Sequence, residues 1–187
     1  LEVLPGDLLE SATAVGSGTE SFTREDTAGI GVLTNGVFGG AGVDKPESAS
    51  LGNNTITYTL PTPADLFSIA LYTSWNSGRD GIDVTVSYAT ATDPLTFTQL
   101  ADINYDSPFG DASWEPQDNP AAVVANYAVL TGSTGVLASN VAAIRFDFGP
   151  DAYGWAGYRE IDVLAVPEPA SLALAALGGL AMIRRRR

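Results

Sequence analysis

The 187-residue sequence contains no cysteine and no histidine, and it holds a single methionine. Without cysteine there is no disulfide, no thiolate metal site and no cysteine nucleophile. Without histidine, the commonest general base, transition-metal ligand and pH switch are missing together. A Ser-His-Asp triad cannot be assembled, nor a histidine zinc site. Basic residues are scarce as well. Ahead of Pro167 stand 5 basic against 21 acidic residues, a balance of −16. An acidic body repels nucleic acid, which requires a basic footprint. It favours solubility and attracts cations. No Gly-rich phosphate loop follows a strand and opens a helix. The length is that of one domain, and a chain of this size can bury roughly two-thirds of its unfolded surface. It needs no cross-links to hold a core.

What is present is alternation. Ile56, Tyr58 and Leu60 alternate with threonines. Ile82, Val84, Val86 and Tyr88 alternate with Asp83, Thr85 and Ser87. Ile144, Phe146 and Phe148 alternate with Arg145 and Asp147, and Ile161 and Val163 flank Asp162. Period two with one apolar face predicts antiparallel strands with one wet face. Asn76–Gly81 reads as a hairpin loop, Thr92-Asp93-Pro94 as a strand end, and Pro61-Thr62-Pro63 as a break before the strand at Phe67. Ala121–Leu130 fits a helix or a strand equally. Asn104–Asn119, with Pro108 and Pro116, reads as a long surface loop. Many short strands with Gly/Pro turns predict an all-β antiparallel sandwich, or jelly roll, over residues 1–166.

Residues 167–187 differ in kind. Ala170–Ile183 is a 14-residue run of apolar and small residues, closed by Arg184, Arg185, Arg186 and Arg187. As a short C-terminal apolar helix it would span roughly 21 Å, less than the hydrocarbon core of a bilayer. The arginines can snorkel to headgroups and hold their end on the cytoplasmic side. A transient stop in the inner membrane fits such a segment better than permanent residence.

Val166-Pro167-Glu168-Pro169, the Ala/Leu/Gly run and the arginine cluster, in that order at the chain's end, resemble the PEP-CTERM sorting domain. The resemblance covers about the last 22 residues. It implies recognition by an exosortase, a transpeptidase-like membrane enzyme, with processing near Pro-Glu-Pro. It also implies export to the surface of a Gram-negative bacterium that makes extracellular polysaccharide. A plain short anchor is the alternative. Proteins with such tails start with a secretory leader. Leu1-Glu2-Val3-Leu4-Pro5 has neither a basic start nor a long apolar stretch, so a leader is expected to have preceded it.

The body is similar to the galactose-binding-like, or discoidin-like, jelly roll. Gly31-Val32-Leu33-Thr34-Asn35-Gly36 resembles its early turn, and Ile56–Leu60 with Leu66–Tyr72 the strand pair that follows. Gly81–Tyr88 with Phe97–Leu100 resembles the central strands. Ala143–Phe148 with Tyr158-Arg159-Glu160-Ile161-Asp162-Val163 resembles the closing pair. This resemblance implies about eight strands and, in many relatives, a structural calcium ion. The matching positions are Asn35 and Glu160. Calcium takes six to eight oxygens, and Asn35 offers a neutral one. The alternative is that Asn35 takes a left-handed turn conformation and Glu160 pairs with Arg145 or Arg159.

Relatives of this kind often bind glycans through loops at one end of the sandwich. Sugar recognition needs flat aromatic faces and planar polar groups. Trp75, Tyr105, Phe109, Trp114, Tyr153 and Trp155 lie in or beside loops, with Arg79, Asp80, Asp111 and Asp151 nearby in sequence. Trp75, Arg79, Tyr105, Trp114, Asp151 and Trp155 are the candidate glycan-binding residues. The competing reading is that the tryptophans plug the sandwich end, since aromatic rings bring large buried area. Three functions stay open. The first is a non-catalytic surface module that binds extracellular polysaccharide. The second is a purely structural or adhesive matrix protein. The third is a glycoside-cleaving enzyme, for which paired carboxylates suffice without histidine. With 21 acids in the body, pairs alone point nowhere.

Overall fold

The computed structural model describes residues 5–19, 21–23, 29–38, 48–75, 79–105, 126–150 and 154–167. Among the described residues, eight antiparallel strands form the body: β1 Thr13–Gly18, β2 Ala49–Leu51, β3 Asn54–Thr73, β4 Ile82–Thr90, β5 Asp93–Tyr105, β6 Asn126–Thr131, β7 Ala138–Phe148 and β8 Ala156–Ala165. The all-β sandwich expected from alternation is present. The apolar helix expected over the tail lies outside the described residues.

Strand β3 builds both layers. Its first part, Asn54–Thr59, pairs with β1 on one side and β7 on the other. Its last part, Ser68–Thr73, pairs with β6 and β8. One layer therefore runs β1-β3-β7-β4-β5, and the other runs β6-β3-β8-β2. Pro61-Thr62-Pro63 does not end the strand, contrary to the sequence expectation. It marks the corner where β3 changes layers. The β7 register shifts between Thr59 and Ala64, and prolines are tolerated where ladder bonds lapse. The ambiguity over Ala121–Leu130 resolves to strand for the described part, Asn126–Thr131. Asn104 and Tyr105, read as loop, belong to β5; the remainder of that predicted loop lies outside the described residues.

The expected apolar faces meet in the core. Ile56, Tyr58, Val84, Val86, Ile144, Phe146, Ile161 and Val163 are all buried. Arg145 and Asp147, on the other face of β7, form an ion pair at 2.8 Å. In β8 the expected wet face is absent, because every residue from Ala156 to Val163 is buried. A 3-10 turn at Leu8–Ser11 and another at Ile30–Thr34 pack against β8. Their Leu9 and Leu33 join the main core.

The connections sort to two ends. Register places Asn54, Val84 and Phe148 at one end, where Ile82 also meets Tyr105 and Thr73 meets Asn126. The β3–β4, β5–β6 and β7–β8 connections start and finish there. The corner of β3, the β4–β5 turn and the end of β8 lie at the other. There Val166 donates its amide to the Asp65 carbonyl at 2.8 Å, just before the tail begins.

Gly157 lets the β3–β4 connection lie directly on β8. Ser74 donates to its carbonyl at 3.0 Å, and its own amide donates to the Arg79 carbonyl at 2.9 Å. A Cβ there would stand 2.7 Å from Trp75 Cε3 and 2.8 Å from the Ser74 carbonyl oxygen. Gly157→Ala is expected to destabilise the fold by about 1–3 kcal/mol through overpacking; an unchanged urea midpoint would contradict this packing.

Candidate functional site

The loop-proximal end gathers the described glycan-binding candidates, but it does not open all of them to solvent. Trp75 and Trp155 meet edge to face, with centroids 4.7 Å apart and planes at 80°. They are only 5% and 2% exposed. The Arg79 guanidinium carbon lies 4.8 Å from the Trp155 ring centroid, and Arg79 is itself buried. The expectation of open tryptophan faces is thus corrected for these two rings: they plug the end of the sandwich. The cause is the tie between the β3–β4 connection and Gly157, which draws both rings inward. Asp80 is buried too, and its carbonyl accepts from Asn126 Nδ2 at 2.9 Å. Trp114 and Asp151 lie outside the described residues, as do Phe109, Asp111 and Tyr153.

Tyr105 is different. It is 46% exposed at the end of β5. With Ile82, Asn126, Tyr127 and Ala128 it lines a cleft of about 370 Å³ between the edges of the two layers. Among the described candidates it alone keeps an accessible ring.

A second constellation lies on β8. Residues paired directly across strands share a face. Glu160 therefore sits beside Tyr72, and Asp162 beside Ala70. Ala70, Tyr72 and Phe38 form a cluster of their own, separate from the main core. Asp7, from the segment before β1, reaches the same place. Its Oδ1 accepts from the Val163 amide at 2.7 Å and from the Leu9 amide at 3.1 Å. The carboxylate oxygens of Asp7, Glu160 and Asp162 lie within 4.8 Å of one another, and all three residues are buried. Neither oxygen of Glu160 makes a hydrogen bond, nor does Asp7 Oδ2.

The electrostatics follow. Burial is the largest cause that pushes Glu160 up to about 8; the charges of Asp162 and Asp7 add to it. The amides of Gly36 and Val37 pull the other way from the facing loop, without closing hydrogen bonds of good geometry. Asp7 is pushed up to about 6, again mainly by burial, with Asp162 and Glu10 adding repulsion against its two backbone bonds. The leading charges acting on these two groups, those of Asp162, Asp7 and Glu10, are negative. Three crowded carboxylates, with no nitrogen or sulfur donor among them, form a donor set suited to a hard cation.

Of the two residues expected to hold calcium, Glu160 is in this cluster. Asn35 is not: it is exposed, and its Oδ1 accepts from the Val37 amide at 3.0 Å in a local turn. The left-handed residue of that turn is Gly36, at φ 74°, and not Asn35. Arg145 is engaged by Asp147 rather than by Glu160. Asp7 and Asp162 escaped the sequence reading. Asp162 alternates with apolar neighbours and so reads as solvent-facing, while Asp7 carries no pattern at all.

A sequence profile of the PEP-CTERM protein-sorting motif matches residues 165–187. The tail is a PEP-CTERM sorting motif. No curated protein matches the chain. Among solved structures, a family 32 carbohydrate-binding module of Clostridium perfringens, solved with GalNAc-β-1,3-galactose, superposes with a TM-score of 0.53 at 10% identity. The match covers 86% of this chain and 100% of that one. The family 32 module of Clostridium perfringens NanJ, solved with galactose, gives 0.52 at 14% identity over 84% and 97% of the two chains. That of Streptococcus pneumoniae EndoD gives 0.55 at 11% identity over 86% and 99%. The body thus has the discoidin-like galactose-binding fold. Its acidic cluster is a place that could hold a metal.

The raised carboxylates fix a sign for the pH dependence of the metal-free protein. The native state holds protons that the unfolded state releases near the ordinary carboxylate values, so stability falls as pH rises from about 4.5. The loss is complete once pH passes the folded value of about 8 for Glu160. In chelator, the melting temperature is expected to drop by several degrees between pH 5 and pH 8, and Glu160→Gln is expected to abolish most of that drop. A melting temperature that rises across this interval in chelator would contradict the buried cluster.

Proposed function

We propose that this chain is an exported surface or extracellular-matrix protein whose sandwich is a non-catalytic polysaccharide-binding module, delivered through its tail by an exosortase. In this reading residues 1–166 are the working domain and 167–187 the sorting tail. The arginine cluster Arg184–Arg187 stays at the cytoplasmic face of the inner membrane while the body crosses. The exosortase then acts near Pro167-Glu168-Pro169, and the body reaches the surface of a Gram-negative cell. Modules of the same fold have been solved with galactose and with GalNAc-β-1,3-galactose.

The observation that carries the reading is polarity within the fold. The loop-bearing end, with Tyr105 and its cleft, lies opposite the end from which the tail leaves. A module held or released by its tail would present that end outward. Tyr105 supplies a stacking face and Asn126 a planar amide at the cleft rim. The cluster of Asp7, Glu160 and Asp162 takes a structural calcium ion, which offsets its charge and stiffens β8.

A purely structural or adhesive role is the second reading, favoured by the burial of Trp75 and Trp155. A glycosidase finds less support. Its two carboxyls must stand about 5–9 Å apart around a sugar, whereas the carboxylates gathered here are buried and closer.

The secreted body is expected to bind at least one matrix or arrayed glycan. Tyr105→Ala should weaken that binding several-fold without shifting the melting temperature. Absence of binding to every arrayed and native matrix sugar would leave the structural reading. Mass spectrometry of the surface protein is expected to show a C-terminus upstream of Arg184; a mature chain that ends at Arg187 refutes exosortase processing.

A further inference from the structure

We propose that, while the sorting tail is in the bilayer, the tail-bearing pole of the sandwich rests on the outer leaflet of the inner membrane, with Leu95 as the side chain that enters the headgroup zone. The contact rests on the sorting reading above and adds to it a lipid-facing surface on the folded body. Three observations support it. The first is reach. Val166 is held against the body, because its amide donates to the Asp65 carbonyl at 2.8 Å. The apolar run begins at Ala170. The four residues of chain between these points span at most about 14 Å when fully extended. The headgroup layer takes about 5–8 Å of that. With the run in hydrocarbon, the gap left between body and membrane is narrower than one helix, about 10 Å across.

The second is the way the pole is tied together. The Ala91 amide donates to the Asn140 carbonyl at 3.0 Å, and the Asn140 amide to Asp65 Oδ1 at 2.7 Å. The Leu137 amide donates to the Leu66 carbonyl at 2.8 Å. These bonds join the β4–β5 turn and the start of β7 to the corner of β3, and so to the root of the tail. The turn is therefore carried with the tail root and cannot swing away from the membrane alone. The third is what the pole exposes. Leu95, just past the turn, is 90% exposed, and Phe67, just past the corner, is 39% exposed. Pro61, Thr62, Pro63, Thr92 and Pro94 are exposed and uncharged. Apolar side chains brought to a bilayer surface partition into its interfacial zone. The acids at this pole, Asp65 and Asp93, favour a zwitterionic surface over an anionic one.

The consequence is a fixed posture on the membrane. The short connection keeps the pole at high effective concentration beside lipid, so a weak contact stays occupied. The loop-bearing pole, with Tyr105, then points away from the bilayer. The exosortase has to reach Pro167-Glu168-Pro169 in the narrow gap beneath the body.

The test uses the absence of cysteine, since a single introduced thiol then carries a fluorophore without background. The full chain is reconstituted in phosphatidylcholine vesicles that contain a quencher at headgroup depth. Thr92→Cys places the label at the tail pole, and Asn104→Cys places it roughly 40 Å further along β5. Ser171→Cys, in the apolar run, reports insertion of the tail. Quenching is expected at Ser171→Cys and at Thr92→Cys, several-fold stronger at the latter than at Asn104→Cys. Adding Leu95→Asp to the Thr92→Cys chain should weaken its quenching several-fold without shifting the melting temperature, because this side chain faces solvent in the free body. Quenching at Ser171→Cys without quenching at Thr92→Cys, equal quenching at Thr92→Cys and Asn104→Cys, or quenching that ignores Leu95→Asp overturns the membrane contact and leaves the sorting reading intact. Absence of quenching at Ser171→Cys overturns the contact and the membrane-held tail together.

Discussion

Strand β3 is the constraint on which the molecule depends. One continuous segment, Asn54–Thr73, serves as a central strand in both layers. Between Thr59 and Leu66, where its register with β7 shifts, it passes from one layer to the other. Because the same strand holds β7 in one layer and β8 in the other, the two apolar faces are brought into register without disulfides. That passage also sorts the connections. It places the loop-bearing end and the tail-bearing end at opposite poles, and that polarity gives a binding module and a sorting tail separate places to work.

The two candidate sites illustrate opposite uses of burial. At the loop end, Trp75, Trp155 and Arg79 are drawn inward and stiffen the rim. Their aromatic area contributes to stability and offers no open face to a ligand. Tyr105, at the end of the edge strand β5, stays half-exposed. On β8, burial acts on charge. Asp7, Glu160 and Asp162 are packed beneath the 3-10 turns before β1 and before β2, and burial among like charges pushes the Asp7 and Glu160 carboxyls up toward their neutral forms.

Much of this was legible in the chain. The period-two runs at Ile56, Ile82, Ile144 and Ile161 correctly gave the inward faces, because pleat geometry sends alternate side chains to opposite sides regardless of context. The tail was legible because it is a linear signal, read as an extended sequence of residue types. Glu160 was found from its resemblance to a closing strand, whereas Asn35 was misplaced because a turn residue satisfies its own backbone before it can reach a distant partner.

By itself the sequence determined which chemistries are absent, which residues face inward along each strand, and that a sorting tail follows an acidic all-β body. Only the tertiary structure decided what covers each face. Alternation tells that Asp162 points away from Ile161 and Val163, but not that Asp7 closes over it from the far end of the chain. It marks Trp75 and Trp155 as residues beside loops, but not that a glycine on β8 lets them sink between the strands. Periodicity is a property of a few adjacent residues; enclosure is set by segments far apart in sequence, and here enclosure, more than residue type, determines which acids and which aromatic rings remain available to a ligand.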